Sequence, residues 1–549
     1  MELRKSLLAT AILSSTLILT ACDGDDGDQG PAGPAGTSQT LIELNVLGSY
    51  QPEGNVFDES AAEIVAHDPA NQRLFVVNAN ASTVDVLDIQ DPSQPVLLGT
   101  IDATMEGASA NSVAVYGDLV AVAIEAENKQ DNGKVVFYNS TDLGKVSEVE
   151  AGALPDMLTF TQDGQKVLVA NEGEPSDDYT VDPVGSVTVI DLSAGVAGAT
   201  ATAAGFEAFN GQEDSLRAEG VRIFGPGASA AQDFEPEYIA VSVDNSRAWV
   251  ALQENNAVAL LDIDKAEILD VLPLGFKDHS LLGNELDASN EDEGINIRNW
   301  PVKGMYQPDA ITSYAYNGKT YYITANEGDA RDYAGFSEEA RVEDLVLAPG
   351  AFPNNLQNLE NLGRLNITTT LGSTTECGTL EVTECYNELY SYGARSFSIW
   401  NEDGQRVFDS GSEFERITAS LIPDNFNGNN DENSFDNRSD DKGPEPEAVT
   451  VGEINGQTFA FIGLERVGGI MVYNVTNPQN PEFVQYLNNR DFSDEADPEA
   501  GTAGDLGPEG LAFIAASDSP TGEPMLAVGN EVSGTTTLYG IDIIELSGE

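Results

Sequence analysis

Apolar residues along this chain come in short runs separated by turn-forming pairs such as Asp163-Gly164, Asn317-Gly318 and Asn455-Gly456. Runs of about 4–8 residues rich in Val, Ile, Ala and aromatics, bounded by such pairs, predict strands. The runs repeat as seven units with one grammar, opening at Ala61, Ala110, Pro155, Pro236, Pro308, Pro446 and Pro508. Each unit starts a strand, breaks at a polar turn, continues in a second strand, and gives a third that usually ends in Asp or Asn. Most add a fourth, as in "PVLLGTI", "KVSEVEAG", "EILDVLPLG", "RVFDSG" and "EFVQYLNN". The seventh unit runs out of chain after its third strand, and "LIELNVLGSY" (Leu41 to Tyr50) is available to supply the missing one. The expectation is an all-β chain: a seven-bladed β-propeller over residues 41–549, its ring closed by the N-terminal strand. Four long insertions interrupt it, near residues 193–233, 275–305, 332–393 and 412–443. Insertions of that size on a rigid scaffold are places for partner or substrate contacts.

Aligning the units at the first strand produces a column of Glu63, Ser112, Asp156, Glu237, Asp309, Glu447 and Glu509. Five of these follow a proline, which suits a strand's first residue because no ladder donor is needed there. A second column, at the end of the second strand, holds Asn80, Glu125, Glu172, Glu254, Glu327, Glu465 and Glu531. In an antiparallel meander these two places lie at the same end of a blade. Both columns are therefore expected at one mouth of the central channel. Glu445, just before Pro446, has a counterpart only in Glu235 and reads as a supporting or a solvated acid.

Charge sharpens that picture. The chain carries 25 basic against 92 acidic residues, a net of −67, which excludes nucleic-acid binding, since phosphate contacts need clustered Lys and Arg. Like charges ~4 Å apart repel by about 4 kcal/mol at an effective dielectric near 20. A ring of carboxylates must stay hydrated, take up protons or bind cations. With oxygen donors only, and Asn carbonyls beside the acids, calcium fits first and Mg²⁺ or Mn²⁺ next. The metal-ligand candidates are Glu172, Glu237, Asp309, Glu327, Glu447, Glu509 and Glu531. Arg331 in "NEGDARDY" and Arg466 in "LERVGG" are candidates to grip a phosphate beside such metals, with salt bridges to neighbouring acids as the competing role. His67 and His279 are the only histidines and read as turn or surface residues, so histidine triads and His-rich metal sites are poor candidates.

The first residues read as a secretory signal, 1–21, too short for a membrane span. Leu19-Thr20-Ala21-Cys22 looks like a bacterial lipobox, with Cys22 the lipidated residue. Residues 22–40 form a linker with glycine at every third position from 24 to 36, too few triplets for a collagen helix and read as a stalk. Cys377 and Cys385 are expected to form a short-loop disulfide in an oxidising compartment. These features place the chain in a bacterial envelope, attached by a lipid anchor and facing the periplasm or the exterior.

The stretches "ANEGEPSDDY", "EPEYIAV", "NEGDARDY", "GPEPEAVTV" and "DLGPEGLAF" resemble the choice-of-anchor I family from about Leu41 to the end. The resemblance implies an envelope protein held by one of several kinds of anchor, here Cys22, with relatives among animal mesenchyme-specific cell surface glycoproteins associated with calcium-carbonate skeletons. It implies no defined reaction. Three functions stay open: a cation-binding propeller acting in adhesion, a metal-dependent phosphoesterase similar in architecture to calcium-dependent alkaline phosphatases and phytases, and a structural scaffold whose long loops bind another envelope protein.

Overall fold

The computed structural model describes residues 40–54, 56–378, 382–493 and 495–544. The signal segment 1–21, Cys22 and the linker through residue 39 lie outside the described residues. The chain is all-β, as expected. Among the described residues no helix is long and apolar enough to cross a membrane.

Among the described residues, seven four-stranded antiparallel sheets follow one another. The first runs Val65–Asp68, Arg73–Asn78, Thr83–Asp88, Val96–Asp102, and the sixth runs Pro446–Ile454, Gln457–Leu464, Ile470–Asn474, Glu482–Leu487. The seventh takes Pro508–Ile514, Met525–Asn530 and Thr535–Ile544 from the C-terminal end, and its fourth strand is Leu41–Tyr50. Leu41 pairs with Ile544 and Tyr50 with Thr536.

Why the strands read as nearly unbroken apolar runs is visible in the second sheet. In Leu119–Ile124, Val120, Val122 and Ile124 pack with Phe75, Val77 and Val86 of the first sheet. The alternate residues Ala121 and Ala123 pack with Val167 and Val169 of the third. Successive side chains leave a strand on opposite faces, and both faces are covered, so neither half of the alternation is polar. The same sheet-on-sheet burial continues through the chain. The seventh sheet (Met525, Ala527, Leu538) packs on the first (Val65, Leu74, Val76). Each aliphatic side chain fully buried this way contributes about 1.5–3 kcal/mol.

The insertions are built, not slack. The one read as 193–233 begins with the fourth strand of the third sheet, Thr200–Gly205, so the true excursion is shorter. Residues from 275–305 and 332–393 meet in a five-stranded sheet, Phe276–Asp278, Lys303–Met305, Tyr390–Ser391, Asn366–Thr368 and Glu339–Arg341, over a core with Trp300, Leu356, Leu365 and Ile367. Cys377 and Cys385 are disulfide-bonded, with Cα atoms 5.7 Å apart. His279 is not a surface residue. It is 1% exposed, its Nδ1 lies 2.6 Å from the Asn284 carbonyl, and burial pushes it down to about 3.

Candidate functional site

The first strands of several sheets open irregularly. Pro446 pairs with Leu464, but the regular ladder resumes only at Val449 with Ile462. Pro155 with Asn171, Pro508 with Asn530 and Ala110 with Ile124 behave alike. Such an irregularity re-aims the side chain that follows. Glu447, Asp156, Glu509 and Asn111 occupy that position. The second sheet therefore offers Asn111 where one-residue counting places Ser112, whose Oγ accepts from the Leu158 N–H instead. The same register puts Ala79 and Gln253, not Asn80 and Glu254, in line with Glu172, Glu327, Glu465 and Glu531.

Most of these residues converge on a cavity of about 620 Å³ whose wall includes Glu63, Asp156, Glu172, Glu237, Asp309, Glu327, Glu447, Glu465 and Glu509, and Glu531 stands beside Glu63 and Glu509. Glu125, Glu174, Glu235, Glu254 and Asp329 add to it, with Tyr238 among them and Lys129, Lys442 and Arg466 as cations. The asparagines of the "NE" pairs are not ligands. Asn171 is fully buried and donates to Ser186 and Thr188, and Asn326 to Ser396 and Ser398, so they tie strands together.

Among the described residues, three groups of carboxylates each bring ligand oxygens within 4.8 Å of one another: Glu63, Glu509 and Glu531; Asp309, Glu327 and Glu447; Glu327, Glu445 and Glu465. They differ in how their charge is met. Glu445, fully buried, faces Arg438 at 2.6 Å, Lys442 at 3.1 Å and Arg466 at 3.3 Å. Despite its burial, these cations hold it down to about 2. Arg466 also reaches Glu465 at 3.0 Å, and Lys442 reaches Glu327 at 2.5 Å. The third group is thus already neutralised by the chain.

The first group has no such help. Ser60 donates to Glu531 at 2.7 Å, while Glu509 Oε2 is buried without a hydrogen-bond partner. Burial, with Glu531 beside it, pushes Glu63 up to about 8. Burial, then Glu63 and Glu531, drives Glu509 well above the usual carboxylate range. The second group is intermediate: Glu327 has Lys442, but Glu447 Oε2 is buried and unpartnered, and burial with Glu465 and Glu327 raises Glu447. On the far wall Glu237 and Glu254 also carry unpartnered buried oxygens. Burial pushes Asp156 and Asp329 up to about 7. Of the three groups, the first is the one in which no acid is paired with a Lys or Arg among the described residues.

The two candidate arginines part company. Arg466 lines the cavity. Arg331 is 2% exposed, 3.0 Å from Asp233 and 2.9 Å from Glu235, with its guanidinium 4.6 Å from the Phe224 ring centre. Glu445 is the supporting acid of the two roles its sequence left open, and Lys442 had no motif to announce it, since its partner Glu327 lies at the end of a strand of the fifth sheet.

The choice-of-anchor I domain profile matches residues 63–478. Gigasin-3a of Magallana gigas is 30% identical over 202 residues, 34% of this chain and 67% of that protein. The mesenchyme-specific cell surface glycoprotein of Strongylocentrotus purpuratus is 26% identical over 276 residues, 45% of this chain, and the chain spans only 35% of that protein's length. Among solved structures, Kuenenia stuttgartiensis hydrazine synthase aligns over 91% of this chain and 100% of its own, at 11% identity and a TM-score of 0.42. The profile takes in the acids that open the first strands from Glu63 to Glu447 and those that end the second strands from Glu125 to Glu465, and with them most of the chain. The protein belongs to the choice-of-anchor I family.

Proposed function

We propose that this chain is a seven-bladed β-propeller displayed at a cell surface, which binds divalent cations, calcium first, at one acidic mouth and acts in surface binding rather than turnover. The ring reading is supported by the succession of packed sheets, with the seventh against the first, and by Leu41–Tyr50 completing the last blade. Surface display is supported by family membership and by the cell surface glycoprotein among its relatives. Attachment through a lipid on Cys22, facing periplasm or exterior, rests on the Leu19 to Cys22 sequence.

One observation carries the cation reading: Glu63, Glu509 and Glu531 bring three carboxylates together with Glu509 Oε2 unpartnered. Calcium takes about 6–8 oxygen ligands at 2.3–2.6 Å, and Mg²⁺ demands a tighter octahedron. The group supplies carboxylates from three strand ends and leaves room in the cavity for water as further ligands. Calorimetric titration of the folded chain with calcium tests this. Binding that Glu509→Gln with Glu531→Gln abolishes supports it, and no heat and no thermal shift with calcium, magnesium or manganese refutes it.

A second reading, a metal-dependent phosphoesterase, is favoured by Arg466, which faces the cavity beside the acids with its side chain 30% exposed. Chelator-sensitive hydrolysis of a generic phosphomonoester or diester would establish it, and no turnover across a metal and substrate panel would remove it.

A further inference from the structure

A separate group of acids joins two of the insertions. Asp287 and Asp292 come from residues 275–305, while Glu415, Asn427 and Asp436 come from 412–443. Asp287 is fully buried, Glu415 is 1% and Asp436 3% exposed. The two segments touch directly, because the Asp287 N–H donates to Glu415 Oε2 at 3.1 Å.

The cation in this group is Arg395. It pairs with Glu415 at 2.6 Å and otherwise donates to the carbonyls of Asp287, Ser439 and Asp441. Among the described residues no Lys or Arg nitrogen lies within 4 Å of a carboxylate oxygen of Asp287, Asp292 or Asp436. A buried carboxylate with no cation is costly unless it is protonated or coordinates a metal. The protein donors that reach them are neutral: the Asn296 and Ser289 N–H groups on Asp287, the Gly294 N–H and Asn296 Nδ2 on Asp292, and Ser439 Oγ on Asp436 at 2.5 Å.

Asn427 supplies the independent observation. Its Nδ2 donates to Glu415 at 3.1 Å and to Ser439 Oγ at 2.9 Å, which places the amide inside the group. Its Oδ1, on the same amide, is fully buried and has no partner. A hard cation would satisfy this bare acceptor and the acids beside it together. Burial pushes Asp287 up to about 7 and Asp436 up to about 8, with Asp287 among the charges raising Asp436.

We propose that Asp287, Asp436 and Asn427 Oδ1 hold a hard divalent cation, calcium by their all-oxygen chemistry, which pins the acidic insertion to the neighbouring one. The site is distinct from the cavity group of Glu63, Glu509 and Glu531. Its consequence reaches the cavity, because the pinned insertion is the segment that delivers Lys442 to Glu327.

Calcium titration of the whole chain tests the proposal, read by calorimetric stoichiometry and by unfolding temperature at pH 8. Asp287→Asn with Asp436→Asn is expected to bind one equivalent fewer than the parent and to unfold at a higher temperature than the parent in chelator. Glu63→Gln with Glu509→Gln is expected to retain that equivalent. Unchanged stoichiometry and an unchanged calcium shift in the Asn pair overturn the proposal. Should that pair not fold, Asn427→Asp adds a ligand charge and is expected to tighten calcium binding about tenfold, and an affinity left unchanged overturns the proposal equally.

Discussion

Lys442 Nζ lies 2.5 Å from Glu327 Oε1, although the two residues sit 115 positions apart. Glu327 belongs both to the group with Asp309 and Glu447 and to the group with Glu445 and Glu465, so this lysine occupies a place that a divalent cation would otherwise compete for. Removing one partner of a buried pair leaves an uncompensated charge and costs about 3–5 kcal/mol. Lys442→Met is expected to lose about that much stability in chelator and to recover most of it in millimolar calcium, with one more calcium bound than the parent. Urea unfolding with and without calcium reads the first, and calorimetry the second.

The seam between the seventh and first sheets offers a steric prediction. A Cβ on Gly529 would stand 2.3 Å from the Glu63 carbonyl oxygen and 2.9 Å from that of Ala62. Backbone atoms cannot yield as a flexible side chain does, so the segment carrying Glu63, just before the strand Val65–Asp68, must move. Overpacking of this kind costs about 1–3 kcal/mol. Gly529→Ala is expected to lower the unfolding temperature and to weaken calcium binding together. Glu63→Gln should weaken binding while raising stability in chelator, because it removes a buried charge.

The seven units were legible because both faces of each strand are buried, which turns a sheet into a string of short apolar runs between turn pairs. The acids were legible where a proline marks the strand opening, as at Glu237, Glu447 and Glu509. The first-strand column slipped by one at Ser112, since the period of two along a strand gives no warning of an irregular opening pair such as Ala110 with Ile124. The pairing of Lys442 with Glu327, and of Arg331 with Glu235, is set by how neighbouring sheets stack, and local pattern carries no trace of it. Asn171 and Asn326 looked like ligands in sequence because a strand-end amide that ties two strands has the same composition as one that binds a metal.

Arg331 and Arg466 are separable by experiment. Arg331 is enclosed by Asp233, Glu235 and Phe224, so Arg331→Met strands two buried carboxylates and is expected to cost about 3–5 kcal/mol. Arg466 is partly open to the cavity, and Glu445 keeps Arg438 and Lys442 when it is lost. Arg466→Gln is expected to remain folded, with a loss of about 1 kcal/mol. If the cavity takes phosphate beside a metal, Arg466→Gln should abolish inorganic-phosphate binding measured in calcium. A refolded Arg331 variant that retains phosphate binding would confine Arg331 to holding the fold together.

The pH dependence of stability follows from the cavity acids. Burial raises Glu63 to about 8 and Asp156 and Asp329 to about 7, whereas in the unfolded chain such groups ionise near 4. Between these limits the folded state binds more protons than the unfolded state, so stability must fall as pH rises from about 4.5 to 8. Glu445 acts in the opposite sense: held at about 2 by Lys442, Arg438 and Arg466 against its burial, it contributes stability above its unfolded value that is lost as pH drops toward 2. In chelator the chain is expected to be most stable near pH 5 and to weaken by several degrees in unfolding temperature by pH 8. Calcium replaces the protons on the first group, so in saturating calcium the decline above pH 5 should flatten. Unfolding temperatures at pH 5, 6.5 and 8, with chelator and with calcium, measure the effect. A decline equally steep in both would mean that these acids do not share a bound cation.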